Sequence, residues 1–415
     1  MSDIYKKHIL VISQYFYPEK FRINDICEEW VKRGYKVTVI TGIPNYPQGE
    51  FYEGYGFHKK RTETWNGIDI IRIPLFPRGK SKSGLVLNYI SFALFGKAWA
   101  RHTKLKADRV FMFEVSPMTQ CLIGVTYKKK YGVPITAYIQ DLWPENIEVI
   151  TGIHYRLVIN AISRMADKIY KACDNILVTS PSFKTRLDER KSTLTDTGES
   201  KVYYWPQYAE EFYRPIEPST DKMSEDLKEA LHGKEGFKLA FTGNIGYAQG
   251  LDILPKVAAL LKSKGIHCYF IIIGDGRYAE TFCTEIKKND VEEYFYLLGR
   301  KAPEDIPNYL AYCDAGYISF MDNELWSMTI PAKLQSYMAC GKMIIASASG
   351  ETRRIIGEAE CGYCADTGDV VGTAEIIISA IEAQERIREF GHNARKYFDD
   401  HFDKNKLMDE AERYL

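Results

Sequence analysis

Short apolar runs alternate with amphipathic stretches along nearly the whole chain, and that alternation predicts successive β-α-β units. In the first half the runs HILVIS (8–13), YKVTVIT, GIDIIRI, VFMF, ITAYI, NILVT and VYYW read as seven strands. Helical periodicity fills the intervals at about 117–130, 155–171 and 181–190. The first helix is expected to be capped by Asn24 or Asp25 and to stop at Gly34. The second half repeats the scheme with FKLAFT, CYFIII, YFYLL, AGYIS, MIIAS and a last short strand after ECG, six in all. Two helices, about 370–383 and 385–397, follow. Nearly continuous apolar strands separated by helices belong to parallel sheets covered on both faces, so two doubly wound α/β domains are predicted.

A chain of 415 residues is long for one core, and the aromatic, proline-rich WPQYAEEFYRPIEPST marks the junction. The expected domains are 1–206 and 207–385, with a helical segment 386–415 packing back on the first domain. Apolar content of 45% and charged content of 27% are globular values. The zero net charge hides a split: residues 1–206 carry 31 Lys and Arg against 20 Asp and Glu, and residues 207–415 carry 24 against 35. A basic first half suits an anionic partner. The nine cysteines are scattered apart from Cys361 and Cys364, which is weak for zinc, and all are expected as reduced thiols. The N-terminus, with only a five-residue apolar run, reads as a first strand and not a signal peptide, so a cytoplasmic location is expected.

Open α/β sheets bind ligands outside the carboxyl ends of their strands, and the candidate chemistry collects there. The first such loop, QYFYPEKFRIN, lacks the Gly-x-Gly-x-x-Gly of dinucleotide-binding enzymes. It offers Tyr17, Glu19, Arg22 and Asn24, which either grip a polar acceptor or stabilise the loop itself. Asp141 ends ITAYIQD and Glu114 ends VFMFE, each a candidate carboxylate at a strand end; for Asp141 the competing role is to cap the loop before Pro144.

In the second half, Gly243-Asn244-Ile245-Gly246, Gly274-Asp275-Gly276-Arg277 and Gly299-Arg300-Lys301 are three glycine-bearing strand ends at which a phosphate can approach the backbone. SMTIPAKLQSYMACGK then reads as a helix with Pro331 in its first turn, and the Thr329–Lys333 start, with the Lys333 ammonium, would attract a diphosphate. Glu351, early in the next helix, either accepts from the hydroxyls of a ribose or hexose or simply stabilises the positive end of that helix.

Between Arg78 and Arg109 eight basic residues surround an aromatic, apolar helix with only Asp108 in opposition. That helix is too short and too polar to span a bilayer; it suits the surface of an anionic membrane, the competing reading being a helix packed against the sheet with a solvated basic end.

The ordered set QYFYPE, RGYKVTVITGIPNYPQGEFYEGYG, QDLWPEN, WPQYAEEFYRP, FTGNIGYAQGLD, IIIGDG and PAKLQSYMACGK spans nearly the whole chain and resembles glycosyltransferase family 4, in particular its bacterial surface-polysaccharide branch. The resemblance implies the GT-B fold, two Rossmann-like domains facing a central cleft. It further implies a retaining, metal-independent glycosyltransferase with no cofactor beyond a nucleotide-sugar co-substrate. The implied donor is a UDP-sugar such as a UDP-N-acetylhexosamine or a deoxy relative, and the acceptor a glycan or a polyprenyl-diphosphate-linked sugar. On that reading Gly243, Asn244 and Gly246 lie against the diphosphate, Gly274, Asp275, Gly276, Arg277 and Arg300 near the nucleoside, and Thr329 and Lys333 at the diphosphate oxygens. Lys333, Asp141 and Glu351 carry the chemistry, and Tyr17, Glu19, Arg22, Asn24 and Glu114 face the acceptor. The chain would work at the inner face of the cytoplasmic membrane, without nucleic acid.

Two departures from the family pattern stand out: Met328 and Ser336 occupy the positions of two glutamates, and Tyr247 and Gln249 those of an arginine and a lysine. A nucleotide-sugar epimerase on the same fold, or a non-catalytic sugar-nucleotide or lipid-binding module, are the alternative functions.

Overall fold

The computed structural model describes residues 5–79, 81–147, 155–218 and 223–415. Lys80, one of the eight basic residues named above, lies outside them.

The chain divides into two units, Met1–Trp205 with Met408–Leu415, and Pro206–Leu407. The first is built on an eight-stranded sheet: β1 (His8–Ile12), β2 (Lys36–Gly42), β3 (Thr62–Trp65), β4 (Ile68–Ile73), β5 (Arg109–Glu114), β6 (Ile135–Ile139), β7 (Asn175–Val178) and β8 (Val202–Tyr204), in the order β3-β4-β2-β1-β5-β6-β7-β8. Every pairing is parallel except β3 with β4. That antiparallel edge strand corrects the expected seven-stranded, all-parallel reading. TETW carries only four residues of alternating exposure, but it is joined to β4 by Asn66-Gly67, both at positive φ (48° and 80°), a two-residue hairpin turn.

The helices of this unit are α1 (Arg22–Lys32), α2 (Lys82–His102), α3 (Cys121–Tyr131), α4 (Arg156–Ala172) and α5 (Pro181–Asp188). α1 begins at Arg22 behind an uncapped Phe21, so Asn24 and Asp25 lie in its first turn and do not cap it. Its buried face of Ile23, Ile26, Cys27 and Trp30, at spacings of three and four, fixes it on the sheet.

The second unit holds a six-stranded parallel sheet: β9 (Phe237–Thr242), β10 (Cys268–Ile273), β11 (Phe295–Leu297), β12 (Ala315–Ser319), β13 (Met343–Ser347) and β14 (Gly362–Ala365), ordered β11-β10-β9-β12-β13-β14. All six residues of β10 are buried, as a strand covered by helices on both faces requires. The order reverses between β9 and β12, and that is the topological switch point.

The principal helices here are α6 (Leu254–Ser263), α7 (Ala332–Ala339), α8 (Gly350–Ala359), α9 (Val370–Glu382), α10 (Gln384–His401) and α11 (Lys404–Ala411). The segment expected to leave at 386 instead remains in this unit to Leu407, because the buried face of α10 (Phe390, Gly391, Ala394) lies over Gly341 and Met343. Only the last residues belong to the first unit, where Arg33 meets Asp409 (2.5 Å) and Glu412 (3.3 Å) and Lys7 donates to the Leu415 backbone oxygen (2.9 Å).

Candidate functional site

In the second unit every predicted donor-side residue except Thr329 lies directly at the carboxyl edge of the sheet or in the helix turn leaving it. The loops after β9, β10 and β11 are laced together by backbone bonds: Gly243 N–H to Ile273 O (2.9 Å), Ile245 N–H to Asp275 O (2.9 Å), Tyr278 N–H to Ile245 O (3.1 Å) and Gly274 N–H to Gly299 O (2.9 Å). Gly274, at φ +154°, sits so close to its neighbour that a Cβ there would stand 1.8 Å from the Gly243 oxygen. Only glycine permits that approach.

Among the described residues the amides of Asn244 and Gly246 donate to no protein group, and Asn244 is exposed. Asp275 is exposed, and its carboxylate accepts from its neighbour Gly276 N–H at 2.7 Å. Arg277 and Arg300 are exposed at the tips of their loops, whereas Lys301 is bound to Asp226 at 2.5 Å and takes no part.

The helix start differs from the expected one. α7 begins at Ala332 with Pro331 as its N-cap, so Lys333 is the second helical residue. Thr329 belongs to the exit of the preceding helical turn Glu324–Ser327, and its hydroxyl donates to Leu325 O at 3.0 Å. Its predicted place at the helix start is therefore corrected: the short turn, with Asn323 as its own cap, uses the hydroxyl. The amides of Ala332 and Lys333 donate to no protein group among the described residues, and the positive end of the helix remains.

Lys333 is half-buried, with its ammonium 4.0 Å from the Phe241 ring centroid and hydrogen-bonded to Gln249 Oε1. Burial pulls its pKa down to about 7. Phe241 and Gln249 position this lysine; from sequence Phe241 is only a strand residue and Gln249 only a departure from the family pattern. The signal for Gln249 was available in its departure from the lysine that the family resemblance places there. Tyr337, one turn further along α7, accepts from Thr242 N–H at 2.8 Å and ties the helix to the end of β9.

Glu351 lies in the first turn of α8, buried, with one carboxylate oxygen forked by Arg354 Nε (2.9 Å) and Nη2 (2.7 Å). Gly350 beside it (φ +58°) lies so near the 327–329 turn that a Cβ would stand 2.0 Å from Ser327 O. The β13 exit is thereby held against the segment that leads into α7.

In the first unit the predicted residues also share a carboxyl edge, but most are spent on building it. Tyr17 stacks on Trp65 with centroids 4.5 Å apart. Glu19 is buried and accepts from the amides of Asn45 (2.8 Å) and Tyr46 (2.6 Å), with burial lifting its pKa to about 7. Asn24 donates to Glu19 O at 2.8 Å, and Arg22 opens α1. Glu114 is completely buried, and its carboxylate accepts from Asp141 N–H at 3.4 Å. Burial first, and then the Asp141 charge, push its pKa well up. A carboxyl withdrawn this far supports the 140–143 loop and cannot reach an acceptor, which corrects its expected role. Asp141 remains half-buried at the tip of β6 and accepts from Ser116 N–H at 2.7 Å.

Comparison with known proteins agrees with this architecture. Residues 222–397 match the family described as glycosyl transferases group 1. Over 164 residues the chain is 27% identical to the amylovoran biosynthesis glycosyltransferase AmsK of Erwinia amylovora, a match spanning 39% of each chain. It is 25% identical over 282 residues to the putative colanic acid biosynthesis glycosyl transferase WcaI of Escherichia coli K12, spanning 65% of this chain and 66% of that one. Among solved structures, Anabaena Alr3699/HepE in complex with UDP and glucose superposes with a TM-score of 0.69 at 15% identity over 98% of both chains, a likeness of fold. The two Rossmann-like sheets, the glycine-laced edge of the second and these matches lead to one assignment: the chain has the GT-B fold, its second half matches the glycosyl transferases group 1 family, and it is similar to glycosyltransferases of bacterial surface-polysaccharide biosynthesis.

Proposed function

We propose that this protein transfers a sugar, with retention of anomeric configuration, from a UDP-sugar to a glycan or polyprenyl-diphosphate-linked acceptor in surface-polysaccharide synthesis. One observation carries the reading. The uncommitted amides of Asn244, Gly246, Ala332 and Lys333, with the Lys333 side chain, lie on adjoining strand exits at the switch point of the second sheet, where a diphosphate gains charge as the glycosidic bond breaks. The names of the relatives supply the polysaccharide context, and the UDP of the Anabaena complex supplies the nucleotide.

In this mechanism the amides and Lys333 neutralise the departing UDP. A leaving phosphate oxygen takes the proton of the acceptor hydroxyl as that hydroxyl attacks from the same face. Glu351, fixed by Arg354, accepts from hydroxyls of the ribose or sugar. Asp141 offers its carboxylate to carbohydrate hydroxyls or to positive charge at the anomeric carbon.

Asp141→Asn should reduce turnover on the order of 10- to 100-fold with UDP affinity unchanged, since the amide oxygen still accepts from Ser116 while the charge is gone. A lowered melting temperature with unchanged specific activity would instead assign Asp141 to holding the loop. The function itself is tested by incubating the protein with a panel of UDP-sugars and lipid-linked or glycan acceptors and following UDP release and the anomeric configuration of the product by NMR. Inversion, or rearrangement of the donor without an acceptor, would refute the proposal.

A further inference from the structure

α2 carries a surface stripe that the sheet does not use. Leu87, Ile90 and Leu94 are 48%, 47% and 59% exposed, and their spacing of three and four continues through Lys97 to Arg101 on the same face. The stripe is thus apolar in its N-terminal half and basic in its C-terminal half. The other face of the helix is occupied: Asn88 accepts from Gln14 Nε2 at 2.7 Å, and Phe92 and Ala93 are buried.

The basic end opens into a depression of about 700 Å³ between α2, α3 and α4, whose cations are Lys97, Arg101, Lys129, Lys130, Lys168 and Lys171. Its remaining lining includes Leu122, Val125 and Ile169 and contains no carboxylate. Lys130 donates to the carbonyls of Arg101 (2.8 Å) and Thr103 (2.6 Å). Among the described residues the other five have no ion-pair partner, and the two acids near them in sequence are already engaged, Asp167 by Arg190 (2.9 Å) and Asp174 by Lys128 (2.6 Å). The eight basic residues of 78–109 do not form this site as a group: Arg78 lies over the Tyr46 ring and Arg109 opens β5.

We propose that this face of α2, α3 and α4 is a seat for anionic membrane lipid, with phosphate head groups in the basic depression and Leu87, Ile90 and Leu94 in the acyl boundary. Charge complementarity selects the occupant. Five uncompensated cations over an apolar floor suit a phosphate attached to hydrocarbon, and a collinear apolar stripe on the same helix gives the hydrocarbon a place to go. A single-stranded nucleic acid would call for aromatic rings among the cations, and none lines the depression; a duplex backbone would leave the apolar stripe unused. No described helix is long and apolar enough to cross a membrane, so the contact is peripheral. The inference does not depend on the donor chemistry, and its test needs no nucleotide.

The test is co-sedimentation of the whole protein with phosphatidylcholine vesicles with and without phosphatidylglycerol, at low and high salt. The native protein should bind the anionic vesicles, more weakly as salt rises, and leave the neutral ones largely unbound. Changing Lys97, Arg101, Lys129, Lys168 and Lys171 to glutamine should lower partition onto anionic vesicles by about 100-fold, on the order of fivefold per cation with incomplete additivity. The double variant Lys168→Gln/Lys171→Gln, at exposed positions of α4, should lose about tenfold and guards against a folding defect in the larger one. Leu87→Ser/Ile90→Ser/Leu94→Ser should retain binding at low salt and lose the part that survives high salt. Equal partition of native and charge variants, no native binding, or equal binding to neutral vesicles would overturn the proposal.

Discussion

Replacing Lys333 by alanine is expected to lower turnover about 100-fold, the loss typical of removing one preorganised group that meets charge on a leaving oxygen. The folded state should survive, because this lysine is held only by Gln249 and the face of Phe241 and has no ion pair among the described residues. Lys333→Met sharpens the test. It keeps the apolar stem over Phe241 and removes an ammonium whose burial is unfavourable, as its pKa of about 7 records. The methionine variant should therefore melt at or above the native temperature while being as inactive as the alanine variant. A residue kept for stability would behave the other way, so single-turnover assays beside thermal melts separate the two roles.

The second large effect is expected at Gly274. An alanine there meets the Gly243 oxygen at 1.8 Å on a backbone that L-residues rarely adopt. Relief requires the β9 and β10 exits to separate, which breaks the lacing that presents Asn244 and Gly246. Strain and overpacking together should cost about 3 kcal/mol or more of stability, and UDP binding should be lost in whatever fraction remains folded. Calorimetric unfolding with and without UDP reads both. Gly299→Ala, where a Cβ meets nothing, is the control and should leave both nearly unchanged apart from the modest penalty of its φ of +67°.

The difference between those two glycines marks how far sequence reasoning reached. The parallel strands and the carboxyl-edge position of Asp141, Lys333 and Glu351 follow from apolar period and chain order, which are local properties, whereas the strand order that sets the switch point does not. That Gly274 is squeezed by Gly243 depends on β10 pairing with β9 in one register, a long-range fact. Glu19 and Glu114 looked like surface carboxylates because charge at a strand end ordinarily faces water. Their burial is set by loops 45–46 and 140–143 closing over them. The Asn66-Gly67 hairpin was legible and passed over, since four alternating residues make a weak strand signal alone. The late start of α7 was hidden by the short Glu324–Ser327 turn, which takes the Thr329 hydroxyl that otherwise resembles a cap.

The central claim is that the second unit binds a diphosphate at the β9 and β10 exits and the α7 start, with Lys333 as its counter-charge. Titration of the native protein with UDP at pH 8, by calorimetry in buffers of different ionisation enthalpy, tests it most directly. Lys333 with a pKa of about 7 is mostly neutral at pH 8, and a bound diphosphate raises that pKa. Binding should then draw in close to one proton per UDP at pH 8, where UDP is itself fully ionised, and the uptake should vanish in Lys333→Met together with most of the affinity. UDP binding of equal strength and equal proton uptake in the native and methionine proteins, or no binding of UDP by the native protein, would contradict the account.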